Sequence, residues 1–194
     1  MCYFTKTFYL FSLTVTTLLS LSSQAETRLD LLTLQQDAQQ RIKLFSGELK
    51  TKLSQAIQQG GLTSGVEVCK EQAPLIASKW SEDGWKLSRT SNKVRNTSNN
   101  ATDWQLSVLN KFAQQLNTGT AITDINYAAV IHENAQQKFR YMQPIMMDTL
   151  CLACHGSHIA PEIKRHIQQN YPDDLAIGFS KGELRGAFVA EKSL

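Results

Sequence analysis

A short segment near the end of the 194-residue chain, Cys151-Leu152-Ala153-Cys154-His155, restricts its fold more than any other stretch. Two cysteines at this spacing can each join one vinyl group of a single haem, and the histidine that follows falls under the iron as an axial ligand. The spacing therefore predicts one covalently attached haem c, held by Cys151 and Cys154 and ligated by His155. A chain that binds haem in this way must fold around a flat, largely apolar group.

Three other uses of the cysteine pair compete with haem attachment. A redox disulfide of the thioredoxin type follows a strand and opens a helix in a βαβ unit, and the sequence around the pair has no such unit. A zinc site with His158 or His166 would combine one C-x-x-C with scattered histidines, whereas zinc sites usually have two recognisable ligand pairs. A purely structural pair is the third alternative. Of the four, we expect haem attachment.

The first 25 residues have the layout of a secretory leader. A short segment with one lysine precedes an apolar stretch, and small residues stand before a cleavage position after Ala25. We therefore expect a signal peptide at residues 1–25, a single domain at residues 26–194 and a periplasmic location. The apolar stretch is shorter than the roughly 20 residues that span a bilayer, so we expect no stable membrane span. An uncleaved anchor is the alternative.

Cysteine count and charge narrow the function classes further. The leader contains Cys2, so the mature chain keeps three cysteines. Unpaired thiols are usually avoided in oxidising compartments, which means that the cysteine outside the pair, Cys69, needs a use. The net charge is +3 and the basic residues are scattered, so nothing favours a nucleic-acid partner.

The spacing of apolar residues predicts an α+β domain in which N-terminal helices pack on an antiparallel sheet. Apolar residues recur at helical spacing from Leu34 to Ala56, and Gly60-Gly61 should end that helix. Cys69 lies on the inward face of a second, shorter helix, and Pro74 should begin another. The other predicted elements are a loop over 88–102, a helix over 104–116, a strand pair over 127–145 broken at 133–137, a helix over 161–172 and a hairpin over 175–190 turning at 180–183.

The residue at the second axial position of the iron decides between an electron carrier and a sensor. No methionine follows His155, so the arrangement of the common small c-type cytochromes, with a methionine downstream of the motif, is excluded. Cys69 faces inward, yet a lone buried cysteine is most often a small apolar residue. An open position is a further alternative. The candidate ligands are Cys69, His132, His158, His166, Met142, Met146 and Met147.

Several separate motifs occur in a characteristic order over about residues 30–190. They are GVEVCKEQAP at 65–74, RTSNKVRNTSN at 89–99, YMQPI at 141–145, CLACHG at 151–156 and YPDDLAIGFSKGELRGA at 171–187. Together they resemble the family of single-haem c-type domains with a PAS-like fold, known as a domain of unknown function. The resemblance implies a PAS-like sheet, haem attachment at Cys151 and Cys154, and axial ligation by His155 and Cys69. It also implies kinship with the exported sensing parts of histidine kinases and chemoreceptors.

The chain departs from the family pattern in the segment that follows residue 88. Ser88 stands where the family has glycine, and Thr97 stands where a proline follows Arg-Asn; the motif before Trp104 also differs. These changes leave the ligands untouched and alter the loop. Arg89 and Arg95 belong to it, and because a guanidinium matches a carboxylate bidentately, both are candidates for contacts with the haem propionates. A solvated loop is the alternative.

Ligation by histidine and cysteine has consequences for function. A thiolate stabilises ferric iron and so lowers the reduction potential, whereas reduction weakens the iron–sulfur bond and allows a diatomic gas to replace Cys69. We expect a redox- or gas-responsive protein that signals to a membrane sensor protein or a periplasmic redox partner. A low-potential electron-transfer cytochrome is the alternative. We expect no enzyme, although a haem peroxidase with His132 as the distal base is a third hypothesis.

Overall fold

A computed structural model of the chain describes the backbone of residues 12–194 and the side chains of residues 30–194. The predicted leader, residues 1–25, lies outside the described residues apart from the helical backbone that begins at Ser12. Across the described part of the chain, no helix combines the length and the apolar character that a membrane span requires.

Helices make up the N-terminal part and return at intervals between the strands. The predicted helices over 104–116 and 161–172 are both confirmed. The predicted end of the first helix is confirmed as a sharp kink at Gly61, where φ is 75° and ψ is −171°, a conformation that glycine adopts without steric cost. The helices are α1 (Ser12–Glu67), α2 (Ala73–Lys79), α3 (Asp103–Asn117), α4 (Leu152–His155) and α5 (Pro161–Asn170).

Four strands form one antiparallel sheet in the order β1-β4-β3-β2. The predicted strand pair is β2 and β3, and its turn falls at Asn134 and Ala135, with φ of 52° and 60°. Two successive positive φ values are typical of the tight hairpin turn that matches the twist of the flanking strands. The strands are β1 (Trp85–Thr90), β2 (Tyr127–Glu133), β3 (Gln136–Met146) and β4 (Leu184–Ser193).

Helices cover both faces of the sheet. Because side chains alternate along a strand, Phe139 and Tyr141 of β3 pack with Ile42 and Phe45 of α1, whereas Met142 faces the other way and packs in the cluster that contains α3. The predicted α+β class, with helices packed on an antiparallel sheet, is therefore confirmed.

Two of the predicted elements are wrong in part. Residues 88–90 are the end of β1 and not loop, because their backbone pairs with β4 even though the side chains of Ser88 and Arg89 are polar. The predicted hairpin over 175–190 has only its second arm, β4. The backbone of the first arm is bonded elsewhere: Leu175 N–H donates to the Val94 carbonyl, and Phe179 N–H donates to the His155 carbonyl.

Candidate functional site

A cavity of about 210 Å³ lies between the C-terminal part of α1, the adjoining ends of β1 and β4, and α4. All of the site residues predicted from the sequence line it, although they are distant from one another along the chain. Its apolar walls come mainly from α1 and the end of β3. The predicted residues on its surface are Cys69, Arg89, Arg95, Cys151, Cys154 and His155.

Cys69 lies on a π-turn, Val68–Gln72, that connects α1 to α2. The backbone N–H of Ala73 donates to the Val68 carbonyl five residues earlier, so this turn is wider than a helical turn. Single π-turns inside helices are frequent at functional sites. Burial raises the pKa of the Cys69 thiol, although Arg89 and Arg95 oppose that shift. The free side chain is therefore a neutral thiol at neutral pH in spite of these arginines, and a bound metal ion would be needed to hold it as a thiolate.

His155 is fixed in one tautomer at the end of α4. Its Nδ1 lies 2.7 Å from the Ala176 carbonyl oxygen, and since a carbonyl only accepts, Nδ1 carries the proton. The Nε2 lone pair is then available to a metal. Desolvation, with the positive charges of Arg95 and Arg185, lowers the pKa of His155 to about 3, so the imidazole is neutral at physiological pH.

Cys151 and Cys154 are free, partly buried thiols. Cys151 ends a short 3-10 turn and Cys154 lies in α4, so one helical turn sets their separation. Burial raises the pKa of Cys154, and Arg95 opposes the shift. Gly156 closes the segment at a close approach: a Cβ there would lie 2.6 Å from the Leu152 carbonyl oxygen, so only glycine fits directly after the histidine.

Arg95 is held at the bottom of the site. Its side chain is 9% exposed, and its Nη2 donates to the carbonyls of Cys154 (2.5 Å) and Ala176 (3.3 Å) and to Asp174 Oδ2 (3.1 Å). Its Nε has no hydrogen-bond partner and is the single buried side-chain polar atom in that condition within residues 30–194. Such orphaned atoms are rare in native proteins and call for a partner.

Two more arginines surround the cavity. Among the described residues, Arg89 makes no side-chain hydrogen bond or ion pair, and desolvation lowers the pKa of its guanidinium. Arg185, which sequence reasoning missed, donates Nη1 to Ser91 Oγ and to the Lys93 carbonyl, both at 3.0 Å. Desolvation and its two neighbouring arginines lower the pKa of Arg185 to about 10. The cavity lining contains no Asp or Glu, and Asp174 behind it pairs with Arg95 alone, so the described site carries a surplus of positive charge.

The other candidate axial ligands divide into two groups. Met146 and Met147 line the cavity, and Met147 also packs against Ala176 and Phe179. The remaining four lie outside its lining: Met142 is in the sheet core, His132 and His158 are exposed, and His166 is paired with Glu67 at 2.7 Å. Among the described residues, no group of three or more His, Cys, Asp and Glu could share a metal ion, so the zinc alternative has no ligand set.

A sequence profile of the Tll0287-like family matches residues 19–192. The chain belongs to the Tll0287-like family. The family resemblance predicted from the motifs is therefore confirmed, and the region matched to the Tll0287-like family contains every residue that lines the cavity. A solved structure similar to the chain is the crystal structure of the cyanobacterial heme-protein Tll0287, with 24% identity, a TM-score of 0.49, and coverage of 74% of this chain and 91% of that chain. No curated protein matches the chain significantly.

Proposed function

We propose that this protein binds one haem c in the cavity, attached at Cys151 and Cys154 and ligated by His155 and Cys69. The observation that carries the proposal is the convergence of two thiols, a neutral imidazole and a third thiol on one largely apolar cavity. In the attachment, each thiol adds across one vinyl C=C bond: its sulfur bonds one vinyl carbon and its proton ends on the other, without net oxidation.

The charges of the site support haem over other flat ligands. Haem carries two propionates, and the site offers one buried and two half-buried arginines, of which Arg95 alone is paired with a carboxylate, that of Asp174. Arg89 has no side-chain partner among the described residues, and Arg95 has a free Nε, so both suit an incoming carboxylate. Arg185 is also proposed to contact a propionate. It has fewer free donors for this contact, because its Nη1 already donates to Ser91 and Lys93.

Cys69 is proposed as the second axial ligand because its thiol reaches the cavity from a π-turn. When bound, the haem supplies an iron that alternates between ferric and ferrous states. Ferric iron would lower the pKa of Cys69 and hold it as a thiolate, offsetting the rise caused by burial. Of the seven candidates from the sequence, Cys69 shares the lining only with Met146 and Met147, and a thioether gains nothing from this positive surrounding.

A redox- or gas-responsive role follows from a ligand that can leave. Reduction weakens the bond to Cys69, and its burial favours the neutral thiol once the iron no longer holds it. Release of Cys69 would open a position for a diatomic gas, a two-state change of the kind that sensors use. The signal would pass to a membrane sensor protein, and the protein would work in the periplasm after removal of residues 1–25. We propose no enzymatic activity: His132, the imagined distal base, lies outside the cavity lining.

A low-potential electron-transfer cytochrome is the second candidate function. It is favoured by the tautomer-fixing hydrogen bond of His155, which holds one axial ligand rigidly through a change of oxidation state. The two functions differ in Cys69: a carrier keeps it bound in both states and exchanges electrons with a periplasmic redox partner, and a sensor releases it.

The proposal is tested by attaching haem in a bacterial host that carries a c-type maturation system. We expect the purified protein to start near Glu26 and, under denaturing conditions, to have the mass of the chain plus one haem. Replacing both Cys151 and Cys154 by Ala should remove all haem that resists acid-acetone extraction, and the matched variant Cys69→Ser should keep it. A colourless wild type, or one that purifies with zinc, contradicts the proposal.

A further inference from the structure

We propose that Arg95 and Asp174 form a buried positioning pair that holds the Ala176 carbonyl against His155 and so fixes the orientation of the axial imidazole. The inference rests on the proposed function, in which His155 binds iron. It assigns a role to Asp174, which does not line the cavity and is not among the candidate ligands predicted from the sequence. It also gives Arg95 a task besides contact with a propionate.

The pair is buried and has a defined geometry. The side chains of Arg95 and Asp174 are 9% and 7% exposed, and Arg95 Nη2 lies 3.1 Å from Asp174 Oδ2. Burying two charges is costly unless their hydrogen-bonding capacity is used, and here each partner also bonds the backbone. Arg95 Nη2 donates to the Cys154 carbonyl, and Asp174 Oδ1 accepts the Ala176 N–H at 2.8 Å.

Both backbone groups of Ala176 are fixed by this pair. Its N–H donates to Asp174, and its carbonyl accepts from Arg95 Nη2 at 3.3 Å as well as from His155 Nδ1 at 2.7 Å. The side chain of Ala176 is fully buried beside Met147 and Phe179, so the peptide has little room to turn. The carbonyl that sets the tautomer and plane of His155 is therefore held by Arg95, and the N–H of the same residue is held by Asp174.

The flanking backbone ties the same loop to the haem-binding segment. Leu175 N–H donates to the carbonyl of Val94, the residue before Arg95, at 2.8 Å. On the other side, Phe179 N–H donates to the His155 carbonyl at 3.0 Å and Gly178 N–H to the Gly156 carbonyl at 3.1 Å. Residues 174–179 thus span from the Arg95 loop to α4 and act as a brace behind the ligand. This also explains why the segment does not form the first arm of a hairpin.

Orientation matters because a metal-bound histidine responds to the group that accepts its second ring proton. A single accepting geometry gives a single imidazole plane and one ligand field. Without the Arg95–Asp174 pair, the backbone at Ala176 can move. The hydrogen bond from His155 Nδ1 to the Ala176 carbonyl then weakens, and several imidazole orientations become populated. If Arg95 and Asp174 had only a structural role, substitutions there would lower the stability of the protein. The imidazole orientation and the Nδ1–H···O hydrogen bond of His155 would stay unchanged.

The test uses the haem-loaded full chain and the isosteric variant Asp174→Asn, with Asp173→Asn as the matched control at the exposed neighbouring position. Wild type and control should each give one low-spin ferric EPR signal, and Asp174→Asn should give a broadened or second set of g values. Deuterium exchange of the His155 Nδ1 proton, followed by ENDOR, should be about tenfold faster in Asp174→Asn, which corresponds to about 1.4 kcal/mol lost from one hydrogen bond. Unchanged g values together with unchanged exchange overturn the inference.

Two further measurements cover a variant that fails to fold. Arg95→Lys keeps the charge without the planar guanidinium, and should give the same broadened signal. In the wild type, the Ala176 amide should exchange as slowly as the amides of β4, and rapid exchange there overturns the inference without any substitution. A wild type that binds no haem contradicts the proposed function instead. Hydrogen exchange of the Ala176 amide then still tests whether Arg95 and Asp174 fix the backbone of Ala176.

Discussion

Gly186 allows the backbones of β1 and β4 to approach each other closely beside the cavity. It follows Arg185 on β4, has φ of 155°, and lies so close to β1 that a Cβ would be 2.3 Å from the Thr90 carbonyl oxygen and 3.1 Å from Ser91 Cβ. Thr90 and Ser91 both line the cavity. The absence of a side chain therefore lets the ends of β1 and β4 approach and brings Arg185 next to Ser91.

We predict that Gly186→Ala destabilises the protein by more than about 2 kcal/mol, because backbone and not a flexible side chain must move. The matched control is Gly47→Ala on the exposed face of α1, where nothing lies within 4 Å of the new Cβ. There alanine favours the helix and should stabilise by roughly 0.5–1 kcal/mol. Urea denaturation of the three proteins measures both effects, and equal free energies of unfolding contradict this view of Gly186.

Most of the site residues could be predicted from the chemistry of their side chains, whereas two residues whose roles depend on tertiary contacts could not. The thiols, the imidazole and Arg95 could be predicted because their side-chain chemistry is visible in the sequence. Arg185 could not, since it is one basic residue in a strand, and the hydrogen bond to Ser91 that holds it beside the cavity joins residues 94 positions apart. Asp174 was equally hidden, because its role depends on a contact with a residue 79 positions away.

Among the secondary-structure elements, the helices and the β2–β3 hairpin were predicted well from local periodicity. The prediction failed for segments whose backbone conformation depends on tertiary contacts. The π-turn at Cys69 needs one extra residue per turn, and no apolar spacing in the sequence signals it. Residues 175–179 have the alternation of a strand, yet their hydrogen bonds go to Val94, His155 and Gly156. In both places the exception to local preference lies beside the candidate site, where such departures are expected.

The sheet is also joined by an ion-pair ladder across β2, β3 and β4. Glu133 pairs with Lys138 at 2.8 Å and with Arg140 at 2.9 Å, and Arg140 reaches Glu191 at 3.2 Å. The hydrogen bonds from Lys138 and Arg140 lower the pKa of Glu133 below its ordinary value of 4.5. The unfolded chain therefore takes up a proton at Glu133 before the folded chain does, and the contribution of the pair falls as pH drops below about 4.5.

We predict that Glu133→Gln flattens the loss of stability on acidification. Above pH 4.5 the variant should be less stable than wild type, and the difference should shrink as pH falls through the lowered pKa of Glu133. The control is Glu82→Gln, at an exposed carboxylate that makes no ion pair among the described residues. Thermal unfolding of the three proteins from pH 7 to pH 3 gives the profiles. A Glu133→Gln profile parallel to that of wild type would show that the ladder is inert.

In the whole molecule, helices pack on both faces of one sheet, and the cavity lies at the ends of the strands. β1 and β4 supply Arg89 and Arg185, α1 supplies apolar wall, and α4, backed by residues 174–179, supplies Cys154 and His155. The sequence predicted the α+β class and the residues that converge, because both depend on local pattern and chemistry. It could not predict how a thiol at residue 69 and an imidazole at residue 155 come to share one cavity, since that depends on packing over the full chain.

Whether haem is held between His155 and Cys69 can be measured by low-temperature EPR of the ferric protein and of Cys69→Ser. We expect the wild type to give a low-spin signal with the narrow spread of g values that a thiolate ligand gives. In Cys69→Ser, with haem still covalently attached, that signal should vanish in favour of a high-spin signal or a different low-spin one. An unchanged signal in Cys69→Ser, or its loss in Met147→Leu instead, would contradict the ligand assignment.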